Sequence, residues 1–134
     1  MTERKKILVI EDDKDIADLV KLVLETENFE VETELNPEAA YDRAKSYCPD
    51  AILLDLLMPK IDGWTIFKKI REDRSFDSVP VAILRAKSQQ VDQMVGLHIM
   101  NADAYITKPF GKRELIDKTY ELIGKRKQPS NPGG

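Results

Sequence analysis

Residues 7–12 read ILVIED, which is four apolar residues followed directly by two carboxylates. Residues 51–55 read AILLD and residues 104–108 read AYITK, so an aspartate and a lysine follow the same kind of apolar run. In open α/β sheets, ligands bind outside the carboxyl ends of the strands. Charged residues repeated at this one position therefore predict a parallel sheet with a binding site along one edge.

Short β-like runs alternate with amphipathic segments along the chain. The sequence predicts strands at 6–10, 30–34, 50–54, 80–84 and 103–107, and helices at 14–27, 37–47, 63–74, 88–99 and 111–124. In the first of these helices, apolar residues from Ile16 to Leu24 recur at three- and four-residue spacing, with charged residues between them. This alternation indicates five βα units with right-handed crossovers.

We therefore predict an α/β fold: a doubly wound five-stranded parallel sheet of flavodoxin-like order 2-1-3-4-5, with helices on both faces. Residues 51–54 are apolar without alternation, as expected of a strand that is covered on both faces. This order makes the first and third strands neighbours, so Glu11, Asp12 and Asp55 should converge.

Length and composition indicate one soluble globular domain. The chain has 134 residues, of which 42% are hydrophobic and 34% charged. We expect residues 1–124 to form the domain and the basic, Pro/Gly-containing residues 125–134 to be a disordered tail.

Charge and targeting signals exclude several classes of function. The net charge of −3 disfavours a direct nucleic-acid interface, and the single Cys48 excludes an internal disulfide or a cysteine metal cluster. No apolar stretch approaches the roughly 20 residues of a membrane span, and nothing before Ile7 resembles a signal peptide. We therefore expect a cytoplasmic protein without a membrane segment.

Three convergent carboxylates raise one another's pKa and destabilise a fold unless a cation compensates them. Hard oxygen ligands with room for water suit Mg²⁺. A magnesium site beside a carboxylate and Lys108 has the outline of a phosphoryl-transfer site, in which cations neutralise the phosphoryl oxygens while the carboxylate attacks. Helix capping explains Asp13 well and Asp12 tolerably, but it does not explain Asp55, which stands between two leucines.

Taken together, three motifs resemble the receiver domain of two-component response regulators over about residues 5–124. They are ILVIEDD at 7–13, DLLMPKIDG at 55–63 and DAYITKPF at 103–110. The resemblance implies that Asp55 accepts a phosphoryl group from a partner histidine kinase in a Mg²⁺-dependent reaction. It implies a phosphoacceptor signalling domain, limited to self-phosphotransfer and autodephosphorylation, rather than an enzyme with a separate substrate.

The resemblance also implies roles for individual residues. Asp12 would bind Mg²⁺ directly, Glu11 would act through water, and the backbone carbonyl of Leu57 would complete the protein ligands beside Asp55. Lys108 would contact the phosphoryl group, the Lys108–Pro109 bond would be cis, and Tyr105 would be the aromatic switch.

Arg85 departs from the pattern, because the family normally ends its fourth strand with serine or threonine. A guanidinium has five donors, no acceptor and a permanent charge, so it cannot replace a short hydroxyl. Arg85 could act as a counter-ion that weakens metal binding, as a clamp on phosphoryl oxygens, or as a solvent-facing substitution.

Three other families that share parts of these motifs fit the sequence less well. A flavodoxin is disfavoured because the acidic run at 11–13 would repel a flavin phosphate. A DxD phosphohydrolase is disfavoured because Leu57 stands where its second aspartate would be. A calcium-binding EF-hand is disfavoured because the run from Asp13 lacks the glycine of that loop. The alternative that stays open is an atypical receiver that binds a partner independently of phosphorylation because of Arg85. We expect a sensor histidine kinase or a phosphotransfer protein as the phosphoryl donor. We also expect a downstream protein that binds the face of the last two predicted helices and the strand between them. A second copy of the chain is a further expected partner.

Overall fold

The computed structural model of the chain describes residues 4–55, 63–86 and 102–125. Its strands are β1 (Lys5–Ile10), β2 (Phe29–Glu34), β3 (Ala51–Asp55), β4 (Val81–Ala86) and β5 (Ala104–Lys108). The helices of these ranges are α1 (Lys14–Glu25), α2 (Ala40–Tyr47), α3 (Gly63–Glu72) and α4 (Lys112–Lys125), with short 3₁₀ helices at Pro37–Ala39 and Arg74–Phe76. The predicted helix over 88–99 and the predicted tail after Lys125 lie outside the described residues.

The five strands form one parallel sheet in the order β2-β1-β3-β4-β5, which confirms the predicted topology. The strand register brings the carboxyl ends to one edge. Ile10 pairs with Leu54, Asp55 with Leu84, and Ala86 with Lys108. Residues that directly follow β1 or end β3 and β5 therefore meet at this edge.

The central strand β3 is buried on both faces, as its unbroken apolar run predicts. Leu53 packs in a core with α1 and α4, whereas Ile52 and Leu54 pack in a second core with α2 and α3. Full burial of one such side chain contributes about 1.5–3 kcal/mol to folding. Asp55 thus ends a strand that packing on both sides holds in place.

Polar caps set several helix boundaries. The Asp13 side chain accepts hydrogen bonds from the amides of Asp15 (2.9 Å) and Ile16 (3.3 Å), so Asp13 caps α1 as predicted. The third helix ends at Glu72 instead of the predicted 74, because Asp73 leaves helical geometry and caps the following 3₁₀ helix through the amide of Ser75.

Candidate functional site

The carboxyl edge of the sheet carries a compact acidic cluster. Glu11, Asp12 and Asp55 each offer one carboxylate oxygen, and these oxygens lie within 4.8 Å of one another. Glu11 is 1% exposed and Asp55 is 5% exposed, whereas Asp12 is partly exposed. Because carboxylate oxygens are ligands that Mg²⁺ accepts, and because Asp12 leaves the cluster open to solvent, the residues present fit a magnesium ion.

Backbone contacts on both sides of Asp12 hold the β1–α1 turn. The Glu11 amide donates to the Glu34 carbonyl at 3.1 Å, which continues the contact between the first two strands beyond β1. The amide of Asp13 donates to Oε2 of Glu11 at 3.3 Å, and the Asp13 side chain caps α1. Asp12 therefore lies between two anchored residues, in a turn that presents its carboxylate beside Asp55.

Lys108 supplies the positive charge of the cluster. Its Nζ lies 2.8 Å from Oε1 of Glu11 and 3.4 Å from Oδ1 of Asp55. The Lys108–Pro109 peptide bond is cis, as predicted. One ammonium thus bridges the two most buried acids of the cluster.

Burial and neighbouring charges shift the protonation equilibria of this cluster. Desolvation raises the pKa of Glu11 to about 7, and the adjacent Asp55 adds to the rise while the Lys108 hydrogen bond opposes it. Burial alone would lower the pKa of Lys108, but its hydrogen bond to Glu11 and the charge of Asp55 outweigh burial and raise it. Lys108 therefore stays protonated in this site, whereas the Glu11 carboxyl has a pKa close to neutral pH.

The structure brings together four of the predicted site residues: Glu11, Asp12, Asp55 and Lys108. Tyr105 lies in β5, is half-buried and packs against the core of α2 and α3. The predicted carbonyl ligand Leu57 lies outside the described residues.

Sequence reasoning missed the direct contact between Lys108 and Glu11, because it placed Lys108 next to Asp55 alone. The signal available in the sequence was the position of Glu11 directly after a strand, at the same predicted sheet edge as Asp55, whereas its burial is a property of the fold.

Arg85 occupies the carboxyl end of β4, where its backbone pairs with Thr107 of β5. The preceding residue, Leu84, pairs with Asp55. The backbone of Arg85 therefore belongs to the same sheet edge as the acidic cluster.

Within the described ranges, no helix is both long enough and apolar enough to cross a membrane.

Sequence comparison gives a family match and a set of longer relatives. Residues 7–120 match the family model of the response regulator receiver domain. The chain is 39% identical over 124 residues to Response regulator ArlR of Staphylococcus aureus (strain NCTC 8325), a match that covers 92% of this chain and 54% of that protein. The chain thus spans about half the length of the curated relatives it matches.

Solved structures give the same result for the fold. One similar structure is the receiver domain of sensor histidine kinase PA1611 from Pseudomonas aeruginosa. It superposes with a TM-score of 0.81 at 27% identity, over 91% of this chain and 99% of that one. That structure has a magnesium ion coordinated in its active-site cleft. A response regulator receiver domain protein from Methanospirillum hungatei superposes with a TM-score of 0.78 at 28% identity, over 89% of this chain and 94% of that one.

Proposed function

Since the chain belongs to the response regulator receiver family of two-component systems, we propose that it accepts a phosphoryl group on Asp55 from a histidine kinase or a phosphotransfer protein, and signals through the resulting conformational change. The observation that carries this proposal is the convergence of three carboxylates and one ammonium at a single sheet edge.

In the proposed reaction, a carboxylate oxygen of Asp55 attacks the phosphorus of a phosphohistidine. The new P–O bond forms as the P–N bond breaks, and the electron pair of that bond stays on the imidazole nitrogen, which takes a proton. The rigid end of β3 orients the attacking oxygen, which is the main contribution a protein can make to a loose phosphoryl transfer. The product is an acyl-phosphate, and its hydrolysis would return Asp55 to a carboxylate.

Bound Mg²⁺ would supply charge neutralisation for the phosphoryl oxygens. We propose that Asp12 and Asp55 hold it directly, together with Glu11 through water and the backbone carbonyl of Leu57. The spacing of the three carboxylate oxygens supports this assignment, because an ion held directly by two of them can contact the third through a bound water.

Two further residues have proposed roles in the phosphorylated state. Lys108, which contacts Glu11 and Asp55, would donate to a phosphoryl oxygen once that group is attached to the Asp55 carboxylate. Tyr105, half-buried on the strand that ends in Lys108, would change its packing and report the new state to the surface.

The aligned region makes up about half of each curated relative, so the relatives' own partners are not carried over to this chain. We propose a downstream protein that binds at β5 and α4, on the face that the sequence predicts to include the helix at 88–99, and a second copy of the chain as an additional partner. We propose that the protein is cytoplasmic, because a histidine kinase takes its phosphoryl group from ATP and ATP is present in the cytoplasm.

The proposal is tested with acetyl phosphate as the phosphoryl donor. Intact-protein mass spectrometry should show one added phosphoryl group in the presence of Mg²⁺ and none when EDTA is added. Peptide mapping after borohydride reduction should place the modification on Asp55.

Asp55→Asn should abolish the labelling, whereas Asp117→Asn, a change of the same charge at an exposed site on α4, should leave it intact. Labelling that persists in Asp55→Asn would overturn the assignment. A wild-type protein that takes up no phosphoryl group but still binds a partner would favour the phosphorylation-independent interaction module.

A further inference from the structure

The backbone of Arg85 lies in β4, between the strand that ends at Asp55 and the strand that ends at Lys108. Its β4 neighbour Leu84 pairs with Asp55 on one side, and Arg85 itself pairs with Thr107, the residue before Lys108, on the other. Adjacent strands lie about 4.8 Å apart and residues rise about 3.3 Å along a strand. The Arg85 backbone is therefore about 6 Å from that of Asp55.

At this separation, the charge of Arg85 acts on the acidic cluster through long-range electrostatics. The Debye length is about 30 Å at 0.01 M ionic strength. An arginine at this position lies well inside that range for any conformation of its side chain, so its effect depends on the position of the residue and on no particular contact.

The formal charges show what a permanent positive charge does here. At pH 8 the three carboxylates and Lys108 carry a formal −2, which one Mg²⁺ brings to zero. With Arg85 included, the cluster carries −1 without the ion and +1 with it. Phosphorylation replaces the single charge of Asp55 by about −2. With Arg85 present, the cluster is therefore neutral only when both Mg²⁺ and a phosphoryl group are bound.

We propose that Arg85 sets the ligand preference of this site, so that Mg²⁺ alone binds weakly and an anionic phosphoryl group is retained strongly. The inference rests on the proposed phosphoacceptor function and specifies its regulation. At low salt, a unit charge about 8 Å from a divalent ion in water changes the affinity by about fivefold, and salt should reduce this effect.

The test compares wild type with Arg85→Gln and Arg85→Thr, two neutral variants of different size, and with Arg85→Lys, which keeps the charge. Arg74→Gln is the matched control, because it removes one positive charge from an exposed arginine of the 3₁₀ helix that precedes β4, at the opposite edge of the sheet. Two affinities are measured at pH 8 from the rise of Tm with ligand concentration: Mg²⁺ alone, and beryllofluoride at saturating Mg²⁺.

We expect both neutral variants to bind Mg²⁺ about fivefold more tightly at low salt and beryllofluoride several-fold more weakly, with both differences shrinking at 1 M salt. Arg85→Lys should behave as wild type, and Arg74→Gln should change either affinity by less than about twofold because its charge is farther from the cluster. Unchanged affinities in both neutral variants, shifts of the same sign for the two ligands, or an equal effect of Arg74→Gln would each overturn the inference.

The outcomes separate this inference from the proposed function. If acetyl phosphate labels Asp55 while the neutral variants bind both ligands as wild type does, the inference about Arg85 fails and the proposed function stands. If acetyl phosphate leaves Asp55 unlabelled while the opposite shifts are observed, the proposed function fails and the charge effect of Arg85 stands.

Discussion

The ammonium of Lys108 lies 2.8 Å from Oε1 of Glu11, although the two residues are 97 positions apart in the chain. β3 and β4 lie between β1, which Glu11 follows, and β5, which ends at Lys108. The backbones of Glu11 and Lys108 are therefore about three strand spacings, or roughly 14 Å, apart. The side chains of Lys108 and Glu11 extend toward each other and meet beside Asp55, whose Oδ1 lies 3.4 Å from the ammonium. One cation therefore compensates two buried acids from different strands.

We expect Lys108→Met to lower the free energy of unfolding by about 2 kcal/mol at pH 8 in EDTA, because Glu11 and Asp55 lose their shared cation while staying buried. Added Mg²⁺ should recover much of this loss, since it supplies positive charge to the same acids. Urea denaturation with and without Mg²⁺ measures both effects. Lys112→Met, at an exposed lysine that begins α4, should change the free energy by less than about 0.5 kcal/mol. An equal effect of the two substitutions would contradict the role of Lys108.

The neighbouring aspartates of the β1–α1 turn offer a matched pair for testing the metal site. We expect Mg²⁺ to raise the Tm of wild type and of Asp13→Asn, because asparagine caps a helix as well as aspartate does and Asp13 lies outside the cluster. Asp12→Asn should lose most of the Mg²⁺-dependent rise, since it removes a proposed ligand with the same change of charge. Differential scanning fluorimetry over a Mg²⁺ titration checks this expectation. A full Mg²⁺ response in Asp12→Asn would rule out Asp12 as a ligand.

Asp73 should make the stability of the fold depend on pH in the acid range. Hydrogen bonds from Tyr41, from the Ser75 hydroxyl and amide, and from Lys45 hold the pKa of Asp73 well below its ordinary value of 3.8. Because the unfolded chain binds the proton more tightly, the carboxylate stabilises the fold above about pH 4, and this contribution is lost as the pH falls toward the lower pKa of the folded state.

We therefore expect Asp73→Asn to be less stable than wild type at pH 7, and the difference to narrow steadily below about pH 4. Urea denaturation between pH 2 and 7 measures it, with Asp42→Asn, an exposed aspartate of α2, as the control. A difference that stays constant over this range would show that the charge of Asp73 does not stabilise the fold.

Local patterns in the sequence were enough to predict the fold and the members of the acidic cluster. Helical spacing from Ile16 to Leu24 predicts α1, and the unbroken apolar run at 51–54 predicts a doubly covered β3. Right-handed crossovers predict a doubly wound sheet, for which the observed order 2-1-3-4-5 is a common one. Each of these rests on residues within one element or on a general rule of chain handedness, so no knowledge of side-chain packing was needed.

The tertiary structure decided the properties that depend on contacts between distant residues. It buried Glu11 at 1% exposure beside Asp55, which raises the pKa of Glu11 to about 7. It also ended α3 at Glu72, where Asp73 receives hydrogen bonds from Tyr41 and Lys45 of another helix. Desolvation and long-range hydrogen bonds depend on which side chains meet across the sheet. Periodicity along the chain determines which face a residue occupies, whereas packing determines its partner and its exposure to water.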